Sequence, residues 1–144
     1  MLGTKHDLFL ASPYLNRAGF LGFSPDPRSP GRYGDLGAFI TNPISMSPRS
    51  AAATPRLLTF PGGFLLHTGH PNPGLRSVVD QHRRRWEKSP TPILVHLLAE
   101  DPGSLGEAFK ILEQVEGVMG IEVGLPPGID AGGLGDFCQA AQGE

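Results

Sequence analysis

The residues best suited to chemistry in this chain are a few histidines, one glutamate, an arginine run and one thiol. His67 and His70 have the H-x-x-H spacing of two metal ligands, and His96 sits late in an apolar run. Three imidazoles in one place would suit zinc or another transition metal. The sequence pairs no carboxylate with them, so His67 and His70 read as solvent-facing loop residues. His96 reads as a hydrogen-bonded rim residue, and no metal is expected.

Glu122 lies inside a further apolar run. A carboxylate on a strand can serve as acid or base, but an ion pair is the commoner arrangement. Arg83-Arg84-Arg85 close a helical stretch, where cations suit the C-terminal dipole, so they read as a solvated helix end. Gly132-Gly133-Leu134-Gly135 lacks both the lysine of a P-loop and the glycine spacing of a dinucleotide site, and reads as a helix entry. Cys138 beyond it reads as a buried packing residue rather than a nucleophile.

The elements that must position these residues follow from pattern. Leu8 to Ala11 is a short apolar run ended by Pro13 and is expected as a buried strand. Leu36 to Ile40 is a second, β-like through Phe39, Ile40 and Thr41. Residues 42–63 carry four prolines and are expected as a long loop. Asn72 and Pro73 suit a helix start, and Leu75, Val78, Val79, His82 and Trp86 share one helical face. Ile93 to Leu98 is a third strand. Ser104 and Glu107 form a capping box ahead of Leu105, Ala108, Phe109, Leu112 and Val115. Val118 to Val123 is a fourth strand, and a weak helix follows from about Leu134.

Apolar strands separated by amphipathic helices imply an α/β fold with a parallel sheet. The chain has 144 residues with 39% apolar, enough for one domain spanning 1–144. A formal net charge of −2, with signs mixed, argues against a nucleic-acid or membrane-surface binder. One cysteine permits no internal disulfide, and no run is long enough for a membrane span or a signal segment, so a reducing cytoplasm is the expected location. The 20 Gly and 15 Pro are clustered, which favours long shaped loops over a repeat.

The order of motifs narrows the choice of sheet. Tyr33-Gly34-Asp35-Leu36-Gly37-Ala38-Phe39-Ile40-Thr41-Asn42 resembles the second strand of dihydroorotate dehydrogenases. Ser47-Pro48-Arg49 and Pro55-Arg56 are similar to that family's Pro-Arg…Pro-Arg loop. The segment from Gly63 to Asn72-Pro73-Gly74 resembles the one carrying its substrate asparagine. Thr91 to His96 and Gly120-Ile121-Glu122-Val123 resemble its third and fourth strands. The resemblance covers residues 8–135. It implies the first four β/α units of a (β/α)8 TIM barrel, a half-barrel with its chemistry at the C-terminal ends of the strands. It also implies an FMN-dependent oxidoreductase of the CH–CH type, turning dihydroorotate into orotate for pyrimidine synthesis.

Residue by residue, the same resemblance puts substitutions at the site. The family's lysine after strand two is Asn42 here, and the third-strand asparagine is His96. With Ser12, these two are the remaining cofactor-side positions; His67 and Asn72 are the remaining substrate-side positions. The loop asparagine matches Leu66, the fourth-strand asparagine matches Gly124, and Pro13 stands where a small residue is expected. The catalytic base, cysteine or serine in the family, falls near Pro126 and Pro127, so no catalytic residue is assigned. The chain also stops after its fourth helix, without the phosphate loops that the resemblance places after strands seven and eight. Tight FMN binding and dihydroorotate turnover are therefore not expected.

Two functions remain open: a divergent or fragmentary relative of the flavin enzyme, or a non-catalytic half-barrel that binds a second chain. A half-barrel would bare Phe39, Leu94, Leu97 and Ile121 and two sheet edges, so a homodimer or a complementary half-barrel partner is expected.

Overall fold

A computed structural model of the chain describes residues 8–26, 28 and 33–142. In chain order the elements are β1 (Phe39–Ile40), β2 (Leu57–Phe60), β3 (Gly63–Leu66), α1 (Leu75–Glu87), β4 (Ile93–Leu98), α2 (Pro102–Leu112), β5 (Val118–Gly124) and α3 (Ala131–Gln142). A single 3-10 turn, Tyr33–Asp35, precedes β1.

The main sheet is parallel, ordered β1-β4-β5, with β4 in the middle. Phe39 pairs with Ile93 and Ile40 with Leu94 on one side of β4. Leu94, His96 and Leu98 pair with Gly120, Glu122 and Gly124 on the other. Alternation along the strands sorts their side chains onto two faces. Phe39, Ile93, Val95, Leu97 and Val118 pack under the helices with Leu75, Val78, Trp86, Leu105, Ala108, Leu112 and Phe137. Burying each such large side chain contributes about 1.5–3 kcal/mol, so this cluster is where the fold is held.

The helix starts differ from the sequence expectation. α1 begins at Leu75, with Gly74 at φ 85° as its N-cap and Pro73 outside it. Asn72 does not cap from its expected place; its Oδ1 accepts the Gly74 N–H at 3.0 Å in a turn before the helix. α2 is capped by Asp101, whose side chain accepts the Ser104 N–H at 2.8 Å, rather than by Ser104. Pro102 takes the first position, which needs no N–H donor. In α3, Gly132 and Gly133 already lie in the first turn, and Asp130 Oδ1 accepts the Gly133 N–H at 2.8 Å.

Three larger corrections concern strands. The Leu8–Ala11 run is not a strand, so four β/α units are not formed among the described residues. Its place at the β1 edge is taken by one parallel bridge, Leu15 to Ala38. Gly37 N–H donates to the Tyr14 carbonyl at 2.8 Å there. The stretch expected as one long loop instead carries an antiparallel hairpin, β2 with β3, registering Leu57 with Leu66 and Phe60 with Gly63. Pro61 and Gly62, the latter at φ 90°, supply the residue types of a type II turn.

The third correction is to the bared face. Phe39 and Leu97 are buried beneath the helices and Ile121 packs against the same cluster, leaving only Leu94 of the four on the other face. Large exposed apolar side chains are instead found on the hairpin and in the first described segment.

Candidate functional site

The sheet face turned away from the helices is built in two rows. The lower row is apolar: Ala38, Ile40 and Leu94, with Leu10 and Ala18 laid against them. Two residues further along β4 and β5 the row becomes polar, because His96 and Glu122 are register partners on neighbouring strands. His96 Nδ1 and Glu122 Oε2 are 2.8 Å apart. The His96 side chain is 17% exposed and that of Glu122 48%, so the pair is open to solvent from the carboxylate side.

The backbone under the pair is clamped. The His96 N–H donates to the buried Thr41 hydroxyl at 3.0 Å. The His96 carbonyl accepts the Ile44 N–H at 2.9 Å. An ionised carboxylate only accepts hydrogen bonds, so the bond assigns the proton to Nδ1 and leaves Nε2 a lone pair in the neutral ring. Gly124 makes the room: a Cβ there would stand 3.0 Å from Nε2.

His70 and His67 belong to the exposed chain that follows β3. Burial, and then repulsion by Arg49, His96 and His67, holds the His70 imidazole below its ordinary value. His70 sits at φ 50°, a left-handed conformation that its polar side chain tolerates better than a branched one would. Arg49 reaches Glu100 at 3.4 Å. Among the described residues no three His, Cys, Asp or Glu side chains are grouped to hold a metal ion.

The other positions singled out in the sequence are occupied by structural bonds. Asn42 Oδ1 accepts the Gly22 N–H at 3.0 Å, while its own N–H donates to the Gly22 carbonyl at 2.8 Å. Asn72 is buried; its Oδ1 accepts the N–H groups of Ser45 and Gly74, and its Nδ2 donates to Ser45 Oγ and the His70 carbonyl. Ser12 Oγ accepts the Tyr14 N–H at 3.3 Å. His67 is exposed, and its N–H donates to the Arg56 carbonyl at 2.8 Å. Of the five, the structure brings only His96 onto the polar row with a carboxylate.

Pro126 and Pro127 follow one residue, Leu125, beyond the C-terminal end of β5, the end at which barrel enzymes place their chemistry. Cys138, expected to be buried, is exposed; Phe137 is the packing residue of α3. The His96–Glu122 pairing was not read from the sequence. Aligning the two six-residue runs as read, Ile93–Leu98 with Val118–Val123, would have set His96 opposite Ile121; the register shift between Ile93 and Leu94 is what brings Glu122 opposite His96.

A profile of the dihydroorotate dehydrogenase family matches residues 4–131. The chain belongs to the dihydroorotate dehydrogenase family. It is 31% identical over 131 residues to the dihydroorotate dehydrogenase B (NAD(+)) catalytic subunit of Maridesulfovibrio salexigens, across 88% of this chain and 42% of that protein. The same-named catalytic subunit of Citrifermentans bemidjiense is 30% identical over 129 residues, across 87% of this chain and 41% of its own length. That of Pelobacter propionicus is 30% identical over 131 residues, across 88% and 42% respectively. The chain therefore spans well under half the length of these relatives. The α/β architecture with a parallel three-stranded sheet and three helices is consistent with part of the family barrel.

Membership in the dihydroorotate dehydrogenase family raises the question of FMN. The residues present do not fit it well on the sheet end described. The Asn42 amide just after β1 is already bonded to Gly22, and Ser12 is bonded to Tyr14. Among the described residues no helix is long and apolar enough to cross a membrane.

Proposed function

We propose that this chain is the front part of a dihydroorotate dehydrogenase-type barrel, a single unit over residues 1–144, in which oxidation of dihydroorotate is lost. The observation that carries this is the Leu125-Pro126-Pro127-Gly128 turn at the end of β5. The family's base is a cysteine or serine in that motif, and a proline ring offers no proton acceptor. Asn42 supports the same reading, since an amide holding Gly22 supplies no positive charge to a reduced cofactor. The direct test is orotate formation from dihydroorotate by the purified chain with FMN and an artificial electron acceptor added. The expected result is no orotate above the protein-free blank.

A second reading, a half-barrel that works by assembly, is favoured by a separate observation. Leu57, Leu58, Phe60, Phe64, Leu65 and Leu66 of the hairpin are all more than half exposed. A two-stranded hairpin is marginal alone in water, and contiguous exposed apolar surface marks contact sites. The relatives are named as catalytic subunits, which is consistent with a protein built to join others. A homodimer or a complementary half-barrel would cover this surface.

A further inference from the structure

We propose that the β2–β3 hairpin is a membrane-docking element, whose apolar tip enters the interfacial layer of a bilayer carrying anionic lipid headgroups. Register puts Leu57, Phe64 and Leu66 on one face of the hairpin, and Leu58, Phe60 and Leu65 on the other. All six are between 53% and 66% exposed, and none belongs to either core cluster. An antiparallel sheet commonly turns one face to a core and the other to water. Here neither face is polar and neither is covered. A protein laid against the hairpin covers one face and leaves the other wet, whereas lipid surrounds an inserted tip on both.

Charge selects the kind of surface. Residues 36–79 contain no Asp or Glu, and carry Arg49, Arg56 and Arg76 with His67 and His70. The net charge of −2 is a sum over the whole chain, and the stretch around the hairpin runs against it. Arg56 and His67 are neighbours at the hairpin base, where the His67 N–H donates to the Arg56 carbonyl at 2.8 Å. Among the described residues no carboxylate pairs with the Arg56 guanidinium, whose Nε donates to the Ala52 carbonyl. An uncharged apolar segment backed by cations is drawn to anionic headgroups and held at their level. The backbone limits the depth. The outer edges of a two-stranded hairpin carry unpaired N–H and C=O groups, which the hydrated interface accepts and hydrocarbon does not. Four residues in each strand span about 13 Å, enough to sink the tip about 5–10 Å and leave Arg56 and His67 outside. This goes beyond the assembly reading: hairpins that pair in water and a hairpin in lipid use one surface, so the two compete.

The test is flotation of the unaltered chain with vesicles of phosphatidylcholine alone or mixed with phosphatidylserine. Binding is expected to the mixed vesicles, with less to phosphatidylcholine alone and less again at high salt. Leu57→Ser with Leu66→Ser strips one face, and Leu58→Ser with Leu65→Ser the other. Each pair should weaken binding about tenfold or more, because both faces lie in lipid. Both should still unfold cooperatively, since these side chains lend nothing to the core. Phe64→Trp reports depth: lipids brominated on their acyl chains should quench the new indole, while Trp86, only 1% exposed, stays bright. The proposal is overturned if the unaltered chain floats with neither kind of vesicle. It is also overturned if only one face matters and the new indole is not quenched, a result that gives the hairpin to a protein partner. A chain that floats yet is monomeric without lipid removes the assembly reading instead, so the two failures are distinguishable.

Discussion

The side-chain amide of Asn16 pairs with the backbone of Ile40 on both sides of one residue. Asn16 Oδ1 accepts the Ile40 N–H at 2.8 Å, and Asn16 Nδ2 donates to the Ile40 carbonyl at 2.7 Å. This pair, next to the Leu15–Ala38 bridge, closes the β1 edge that a full strand would otherwise cover. An amide is the one short side chain offering a donor and an acceptor in the spacing a β edge presents.

Asn16→Ala should therefore lower stability by about 1–3 kcal/mol, since it leaves two partly buried backbone groups of Ile40 without partners. Denaturant unfolding measures this. Asn16→Asp keeps the acceptor and loses the donor, and should fall between the two. Equal stability for Asn16→Ala would mean that solvent replaces both bonds.

Two glycines with positive φ should behave differently. Gly117 lies at φ 86°, and a Cβ there would meet the Trp86 backbone, which has no freedom to move away. Gly117→Ala should cost about 2–5 kcal/mol, combining backbone strain with overpacking. Gly128, at φ 80°, has nothing within 4 Å of the same position. Gly128→Ala should cost only about 1 kcal/mol from strain. The difference between the two unfolding midpoints is the measurement.

His82 gives a pH dependence whose sign is fixed. Its ring lies between Phe23 and Trp86 and bonds Ser24 Oγ through Nδ1 at 3.0 Å. Burial, and secondarily Arg85, lowers its pKa from the ordinary 6.5. Above 6.5 the ring is neutral in both states and adds no slope. As pH falls through 6.5, the unfolded chain takes up a proton that the folded ring resists, so stability declines until the folded ring also titrates. His82→Gln should flatten this decline. Part of it should remain, because His70 is shifted the same way.

Dihydroorotate turnover should stay absent in Asn42→Lys. A lysine would restore a cation at the end of β1, but Pro126 and Pro127 still offer no base. The same variant would break the Asn42–Gly22 bond, so a small loss of stability is expected alongside. The purified, unaltered chain is expected to carry no tightly held flavin, read from its visible absorbance.

Association should depend on the hairpin. Sedimentation at low micromolar concentration is expected to show a species larger than one chain. Phe64→Ser with Leu65→Ser should shift it toward the monomer, because both side chains are more than 60% exposed and lend nothing to the core cluster. An unaltered chain that is monomeric throughout would remove the assembly reading.

How much of this was legible beforehand depended on range. β4 at Ile93–Leu98, β5 from Val118, and the apolar face of α1 through Leu75, Val78, Val79 and Trp86 were all read from local periodicity. So was the family, because motif order along a chain needs no coordinates. The hairpin had a local signal too, two apolar runs flanking Pro61-Gly62, but the density of prolines around it suggested a loop. Leu8 to Ala11 has strand chemistry, yet the edge of β1 was taken by Leu15 and by the Asn16 amide. Tertiary competition decided that, not propensity.

Register and face are the part that only the folded chain fixes. A slip of one residue between β4 and β5 would send Glu122 to the helix side and leave His96 without a carboxylate. The sequence determines that a histidine and a glutamate lie on two neighbouring apolar strands. Only the hydrogen-bond ladder between those strands, set by burying Val95 and Leu97 under the helices, puts Nδ1 and Oε2 within 2.8 Å.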